Sequence, residues 1–158
     1  MFSNTHSAAR LSGAAALLFA FFFTHSGWSN NNNPSSPTPE RDAAVTKFID
    51  QKLHLWQNRM NLEDWDIKVD VVRADKLEPK TLGNIHWDTD VKAATICVLS
   101  PEDYKLPYKA MLDDMEMTIV HELVHLELAS LPRSDASRRV EEHAVNEIAS
   151  ALLKLARH

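Results

Sequence analysis

Two histidines four residues apart, His121 and His125, lie inside a long helical pattern. Apolar residues recur around them at intervals of three and four, which predicts one helix from about Tyr108 to Ala129, and Pro132 prevents its continuation. Side chains at positions i and i+4 of a helix project from one face, one turn apart. Any fold of this chain must therefore place two imidazoles side by side among buried neighbours, where an unpaired polar ring is costly.

The remainder of the chain from Glu40 onwards predicts a single α+β domain. Pro39 suits the first turn of a helix over residues 40–60, and a last helix is predicted from Arg138 to about Ala156. A small sheet of about three strands is predicted between them, at residues 65–71, 82–87 and 93–99. The last helix is expected to bury its apolar residues Val140, Ala144, Val145, Ile148, Leu152 and Leu155.

The first forty residues predict an export signal and a spacer. Arg10 precedes an uncharged run of thirteen residues at 11–23, so residues 1–27 are expected to form a signal peptide or an N-terminal membrane anchor. Residues 28–39 are rich in Asn, Ser and Pro and predict a disordered linker. The domain at 40–158 is therefore expected in the periplasm or outside the cell, either free or anchored through residues 11–23.

Charge and cysteine content exclude some classes of function. The chain has 22 acidic and 17 basic side chains, and no run of lysine or arginine could follow a phosphate backbone. Nucleic acid is therefore not an expected partner. The one cysteine, Cys97, cannot form a disulfide within the chain, and it is expected to be a small buried side chain.

The segment His121-Glu122-Leu123-Val124-His125 carries a possible metal chemistry. Two imidazoles at this spacing can converge on one cation, and the glutamate between them can reach a metal-bound water without binding the metal. Zinc lowers the pKa of such a water towards neutrality. We therefore predict a Zn²⁺ site with Glu122 as the general base, and the alternative is a pair of hydrogen-bonded core histidines.

A catalytic zinc requires three protein ligands, and no third histidine follows the motif at the spacing that would supply one. A carboxylate of the last helix is then the natural donor. We favour Glu142, with Glu141 as the alternative. Asn146 lies one turn after Glu142 and is predicted to hold the outer ring nitrogen of a histidine ligand. His143 and Glu147 point away from Glu142 on a helix and are expected at the surface.

Residues from about Met115 to Leu153, with HELVH at 121–125 and EHAVN at 142–146, resemble the gluzincin clan of zinc peptidases. The likeness is greatest to its minimal members and to the repressor-cleaving metallopeptidases of mobile elements. It implies a zincin-like fold with a long active-site helix and a C-terminal glutamate helix. It also implies that zinc is bound by His121, His125 and Glu142, with Glu122 as base and proton shuttle.

The resemblance implies that substrate pairs, as an added strand, with a strand before the active-site helix, and residues 93–99 are the candidate. Larger members of the clan stabilise the oxyanion from a C-terminal subdomain that this chain is too short to contain. The residues available here for that role are His86, Tyr104 and Tyr108, and each is also accounted for as an ordinary surface or packing residue.

The expected function is zinc-dependent hydrolysis of a peptide or protein substrate. Two alternatives stay open: a zinc-containing module that binds peptides without turnover, and an exported metallohydrolase of a non-peptide bond. The sequence predicts no oligomeric state.

Overall fold

A computed structural model describes residues 13–16, 39–132 and 135–157. Its helices are α1 (Pro39–Arg59), α2 (Tyr108–Glu127) and α3 (Asp135–Ala156), and its strands are β1 (Gly13–Ala16), β2 (Asp66–Val72), β3 (Gly83–Asp88) and β4 (Ala93–Leu99). The predicted α+β class is confirmed, and each predicted element in the domain lies within three residues of its observed bounds.

The strands form one mixed sheet in the order β1-β3-β4-β2. β4 pairs antiparallel with β3 on one side and parallel with β2 on the other. The backbone hydrogen-bonding groups of β4 are therefore already used on both sides. The prediction that residues 93–99 pair with substrate is wrong, because a substrate strand can join only an edge.

The short strand β1 lies beside β3, with Gly13 opposite Trp87 and Ala16 opposite Asn84. These four residues fall within the predicted signal segment. The rest of residues 1–27, and the predicted linker up to residue 38, lie outside the described residues. No helix in the described ranges is both long enough and apolar enough to cross a membrane.

One face of the sheet is apolar and the other is open to solvent. The covered face carries the buried residues Ile67, Ile85, Ala94, Ile96 and Val98, and α1 and α2 pack against it. Alternate positions on the other face, among them Asp66, Lys68, Asp70 and His86, are exposed. This arrangement follows from the period-two alternation of apolar and polar residues. Cys97 also lies on the open face and is half-buried rather than fully buried.

Helix α1 contacts α2 through apolar packing and through hydrogen bonds to one buried carboxylate. It buries Val45, Ile49, Leu53 and Trp56 along one side. The carboxylate oxygen Oε1 of Glu116 on α2 accepts hydrogen bonds from Lys52 Nζ and Trp56 Nε1, both at 2.9 Å. α2 is therefore held between α1, the sheet and α3.

Helix α3 buries a different side from the one predicted. Val145, Ala149 and Leu153 pack inward, whereas Val140, Ile148 and Leu155 are 70%, 43% and 76% exposed. Ala144 is exposed as well, so the prediction was wrong for four of its six residues. The physical reason is that α3 has two apolar stripes. The stripe that packs on α2 lies on the same side of the helix as the polar residues of the candidate site.

Candidate metal centre

Helix α2 brings together the two histidines and the glutamate of the predicted motif. Its turn places the rings of His121 and His125 edge to face, with centroids 4.7 Å apart. The two Nε2 atoms are 3.0 Å apart. The side chains are buried, with 0% of His121 and 1% of His125 exposed. Two ring nitrogens therefore meet in the interior on the side of α2 that faces α3.

Glu142 on α3 supplies a carboxylate at the same point. Its Oε2 is 3.4 Å from His121 Nε2, and its Oε1 is 3.4 Å from His125 Nε2. One ligand atom from each of the three residues lies within 4.8 Å of the others. The side chain of Glu142 is 18% exposed, so the cluster reaches solvent there. The structure thus brings together the three residues that were predicted to bind the metal.

The outer nitrogens of both rings are held by two further residues of α3. His121 Nδ1 lies 3.0 Å from Asn146 Oδ1, which is the contact predicted for Asn146. His125 Nδ1 lies 3.1 Å from Glu141 Oε1. Glu141 therefore contacts the outer nitrogen of His125, whereas Glu142 faces the inner nitrogens of both rings. Sequence reasoning missed this role, although consecutive helical residues point about 100° apart and only one of the two glutamates could face the rings.

These contacts determine which way each imidazole presents its lone pair. Asn146 Oδ1 and the Glu141 carboxylate are acceptors, so each histidine donates from Nδ1 and a neutral ring then turns an Nε2 lone pair inward. Two lone pairs and a carboxylate that face one another repel unless a cation lies among them. Neighbouring ligand atoms of a tetrahedral zinc site with bonds of about 2.0–2.2 Å are about 3.3 Å apart. The donor atoms here fit such an ion.

The ionisation states suit metal binding as well. Burial lowers the pKa of His121, and the nearby His125 ring acts in the same direction, so the neutral imidazole that binds metals is favoured. Burial alone would raise the pKa of Glu142. The two histidine rings outweigh that effect and lower the pKa of Glu142 to about 2. The cluster therefore offers a neutral His121 ring and an ionised Glu142 carboxylate, the forms in which these side chains bind a metal.

Glu122 is fully buried beside this cluster, with 0% of its surface exposed. Within the part of the chain that the structure describes, neither carboxylate oxygen has a hydrogen-bond partner. Burial raises the pKa of Glu122 well above its usual range, and the charge of Glu142 raises it further. A buried carboxyl group without a partner is destabilising and uncommon, so it calls for a functional explanation.

Gly83, the first residue of β3, allows α2 to approach the sheet at this point. A Cβ atom on Gly83 would lie 2.5 Å from Thr118 Cγ2, 2.7 Å from the Cys97 carbonyl oxygen and 3.5 Å from Glu122 Oε1. Sequence reasoning missed this residue. A glycine within a strand pattern is the signal that could have identified it, because it marks places where backbone and neighbour come close.

The other candidate residues lie in different surroundings. His86 is exposed on the open face of the sheet, and His143 and Glu147 are exposed on α3. The hydroxyl of Tyr104 is buried and interacts electrostatically with Asp114, but the arrangement of the two groups is not that of a hydrogen bond. The guanidinium of Arg41 lies over the Tyr108 ring at 5.5 Å. None of these contacts involves the histidine and glutamate cluster.

A surface concavity of about 420 Å³ lies apart from these residues and is lined by Arg73, Ala74, Asp75 and Asp103. Arg73 is already bound by Asp103 through two hydrogen bonds of 2.8 Å and by Glu102. Because Asp103 and Glu102 compensate its guanidinium, Arg73 offers no free positive charge for an anionic ligand.

Comparison of the chain with known protein families, with curated proteins and with solved structures found no match.

Proposed function

We propose that this protein is a zinc-dependent peptidase in which His121, His125 and Glu142 bind Zn²⁺ and Glu122 is the general base. The observation that carries the proposal is the convergence of two inward ring nitrogens and a carboxylate next to a fully buried carboxyl group, for which the described residues supply no hydrogen-bond partner. His121 and His125 are kept in the required orientation by Asn146 and Glu141.

A zinc ion bound at this site would polarise the substrate carbonyl and lower the pKa of a coordinated water. Glu122 takes a proton from the attacking water as the new carbon–oxygen bond forms. It then donates that proton to the departing amine as the carbon–nitrogen bond breaks. The buried setting of Glu122 suits this exchange, since a raised pKa lets one carboxyl group act first as base and then as acid.

The position of Glu122 favours an enzyme over a zinc-containing binding module. A structural zinc site usually closes its fourth position with a protein ligand. Among the described residues the candidate site offers three ligands. A carboxyl group buried beside these ligands without a partner would only destabilise a protein that had no use for it.

The side of β3 that pairs with the short strand β1 favours a peptide as the substrate. Gly83 at its start approaches both Thr118 and Glu122 on α2. One side of β3 pairs with β4, and Gly13–Ala16 lie antiparallel along the other. An extended peptide can add to a sheet edge through main-chain hydrogen bonds. In our proposal substrate takes the place of Gly13–Ala16, so removal of residues 1–27 is expected to raise activity.

The experiment that tests this function is incubation of the purified protein with a mixed peptide library, with mass spectrometry of the products. We expect peptide cleavage that a chelator abolishes and that added zinc restores, with Glu122→Gln as the inactive control. Peptides that bind zinc-loaded protein but stay intact would favour the binding module. Hydrolysis of ester substrates alone would favour the non-peptide hydrolase, and a protein that binds no zinc would contradict the proposal.

A further inference from the structure

Helix α3 carries an exposed apolar stripe on the side that turns away from α2. The stripe consists of Val140, Ala144, Ile148, Ala151 and Leu155, which are all exposed. Their spacing of four, four, three and four residues keeps them on one face of the helix. The same helix buries Val145, Ala149 and Leu153 against the rest of the domain. Isolated exposed apolar residues are ordinary, but a continuous stripe along a helix marks an interaction surface.

The order of side-chain sizes along the stripe is nearly the same in both directions. Large residues at 140, 148 and 155 alternate with alanines at 144 and 151. A two-fold axis close to Ile148 would place Val140 of one helix against Leu155 of another, and Ala144 against Ala151. Two-fold interfaces use the same patch on both partners, so they require this kind of self-complementarity.

We propose that this surface binds a second copy of the chain, with the two α3 helices antiparallel and Ile148 at the two-fold axis. The stripe extends over fifteen helical steps, about 23 Å at 1.5 Å per residue. A contact between two helices of this length is small for a protein interface, so the dimer is expected to form at micromolar concentrations rather than to be permanent. The inference does not depend on the proposed function.

The test is the mass of the purified full chain by analytical ultracentrifugation over a range of micromolar concentrations. We expect a reversible shift from 17.9 kDa towards twice that mass. Ile148→Glu places two carboxylates together at the axis and should weaken the dimer at least tenfold. Val91→Glu is the matched control, because Val91 is 69% exposed in the turn between β3 and β4 and lies outside the stripe. Circular dichroism and thermal unfolding of the two variants check that both are folded.

A cross-linking experiment tests the geometry independently of affinity. In a Cys97→Ala background, Ile148→Cys should give a disulfide-linked dimer under mild oxidation, and Arg139→Cys on the polar side of α3 should not. Wild-type protein that stays monomeric at all concentrations would overturn the proposal. So would equal effects of Ile148→Glu and Val91→Glu, association that disappears with residues 1–27, or monomers that bind phosphatidylglycerol vesicles through the stripe.

Discussion

The Glu141 carboxylate lies 3.1 Å from His125 Nδ1, while the next residue of α3, Glu142, faces the inner nitrogens of both histidines. Two neighbouring glutamates thus occupy different positions around one candidate metal. Glu142→Gln is expected to remove most of the bound zinc, because the site loses its anionic ligand. Glu141→Gln should keep the ion but weaken its affinity about 10- to 100-fold, as partners of ligand histidines do.

The measurement is zinc content by plasma mass spectrometry after dialysis against buffers of fixed free zinc. Glu147→Gln is the matched control, since Glu147 is exposed on the same helix and should bind as the wild type does. If Glu141→Gln lost all the zinc and Glu142→Gln kept it, the two roles would have to be exchanged.

Glu122→Gln separates catalysis from metal binding. The amide keeps the shape of the side chain but cannot accept the proton, so the rate of peptide cleavage should fall by a factor of about 10² to 10⁴ or more. Zinc content should not change, because in our proposal Glu122 does not bind the metal. Glu127→Gln, an exposed position on the same helix, is the control. A Glu122→Gln protein with wild-type turnover would remove this residue from the mechanism.

The contact of Glu116 with Lys52 and Trp56 should contribute to stability. Glu116→Ala leaves the buried Trp56 Nε1 without its acceptor and opens a small cavity, so it should reduce the free energy of unfolding by about 1–3 kcal/mol. Urea denaturation followed by tryptophan fluorescence measures the change. Asp50→Ala, at an exposed position of α1, should change it little. An equal loss in both variants would show that the Glu116 contact has no special effect.

Gly83→Ala tests the close approach of β3 and α2. The added methyl group would overlap Thr118 Cγ2 and the Cys97 carbonyl oxygen, so both stability and cleavage should decrease. Adding Thr118→Ser removes the nearer atom and should restore part of the loss. The measurement is thermal unfolding together with peptide cleavage of the single and double variants. A Gly83→Ala protein as stable and active as the wild type would mean that this contact can relax freely.

The buried carboxyl group of Asp114 predicts a pH dependence of stability. Burial raises the pKa of Asp114 above 3.8, and the Tyr104 hydroxyl offsets part of this effect. A carboxyl group with a raised folded-state pKa binds its proton more tightly when folded, so its stabilising contribution is present at low pH and is lost as pH rises through that pKa. Asp114→Asn should therefore unfold at a higher temperature than the wild type at neutral pH, and at about the same temperature near pH 3.

Thermal unfolding across this pH range checks the prediction. Asp113→Asn is the control, because Asp113 is only partly buried and is paired with Lys109 and Arg157, so its loss should not stabilise the protein at neutral pH. A stability difference for Asp114→Asn that did not vary with pH would contradict the assignment.

Sequence reasoning found the histidine pair because helix geometry alone sets its arrangement. Any helix that contains His121 and His125 places both rings on one face. The choice between Glu141 and Glu142 depends on how α3 is rotated about its axis. That rotation is determined by the packing of Val145, Ala149 and Leu153 on α2. It could not be predicted from the sequence, because α3 has a second apolar stripe that could equally have been the buried one.

The order of the strands in the sheet could not be predicted from the sequence for a similar reason. Alternation of polar and apolar residues predicts that a segment is a strand and which face is buried, but it does not say which strands are neighbours. β4 has the most continuous run of buried residues because it lies between β2 and β3. This central position explains why the apolar run of β4 stands out in the sequence. It also means that β4 has no free edge with which a substrate strand could pair.

The polar residues that α3 contributes lie within about one and a half turns, from Glu141 to Asn146. Their mutual spacing is set inside that helix and does not depend on the connection from α2. Relatives of this chain should therefore tolerate insertions between residues 128 and 134, whereas one residue added or removed between Glu142 and Asn146 would turn the amide away from the carboxylate by about 100°. Variation in loop length together with a constant interval inside the helix would be the evolutionary signature of such a site.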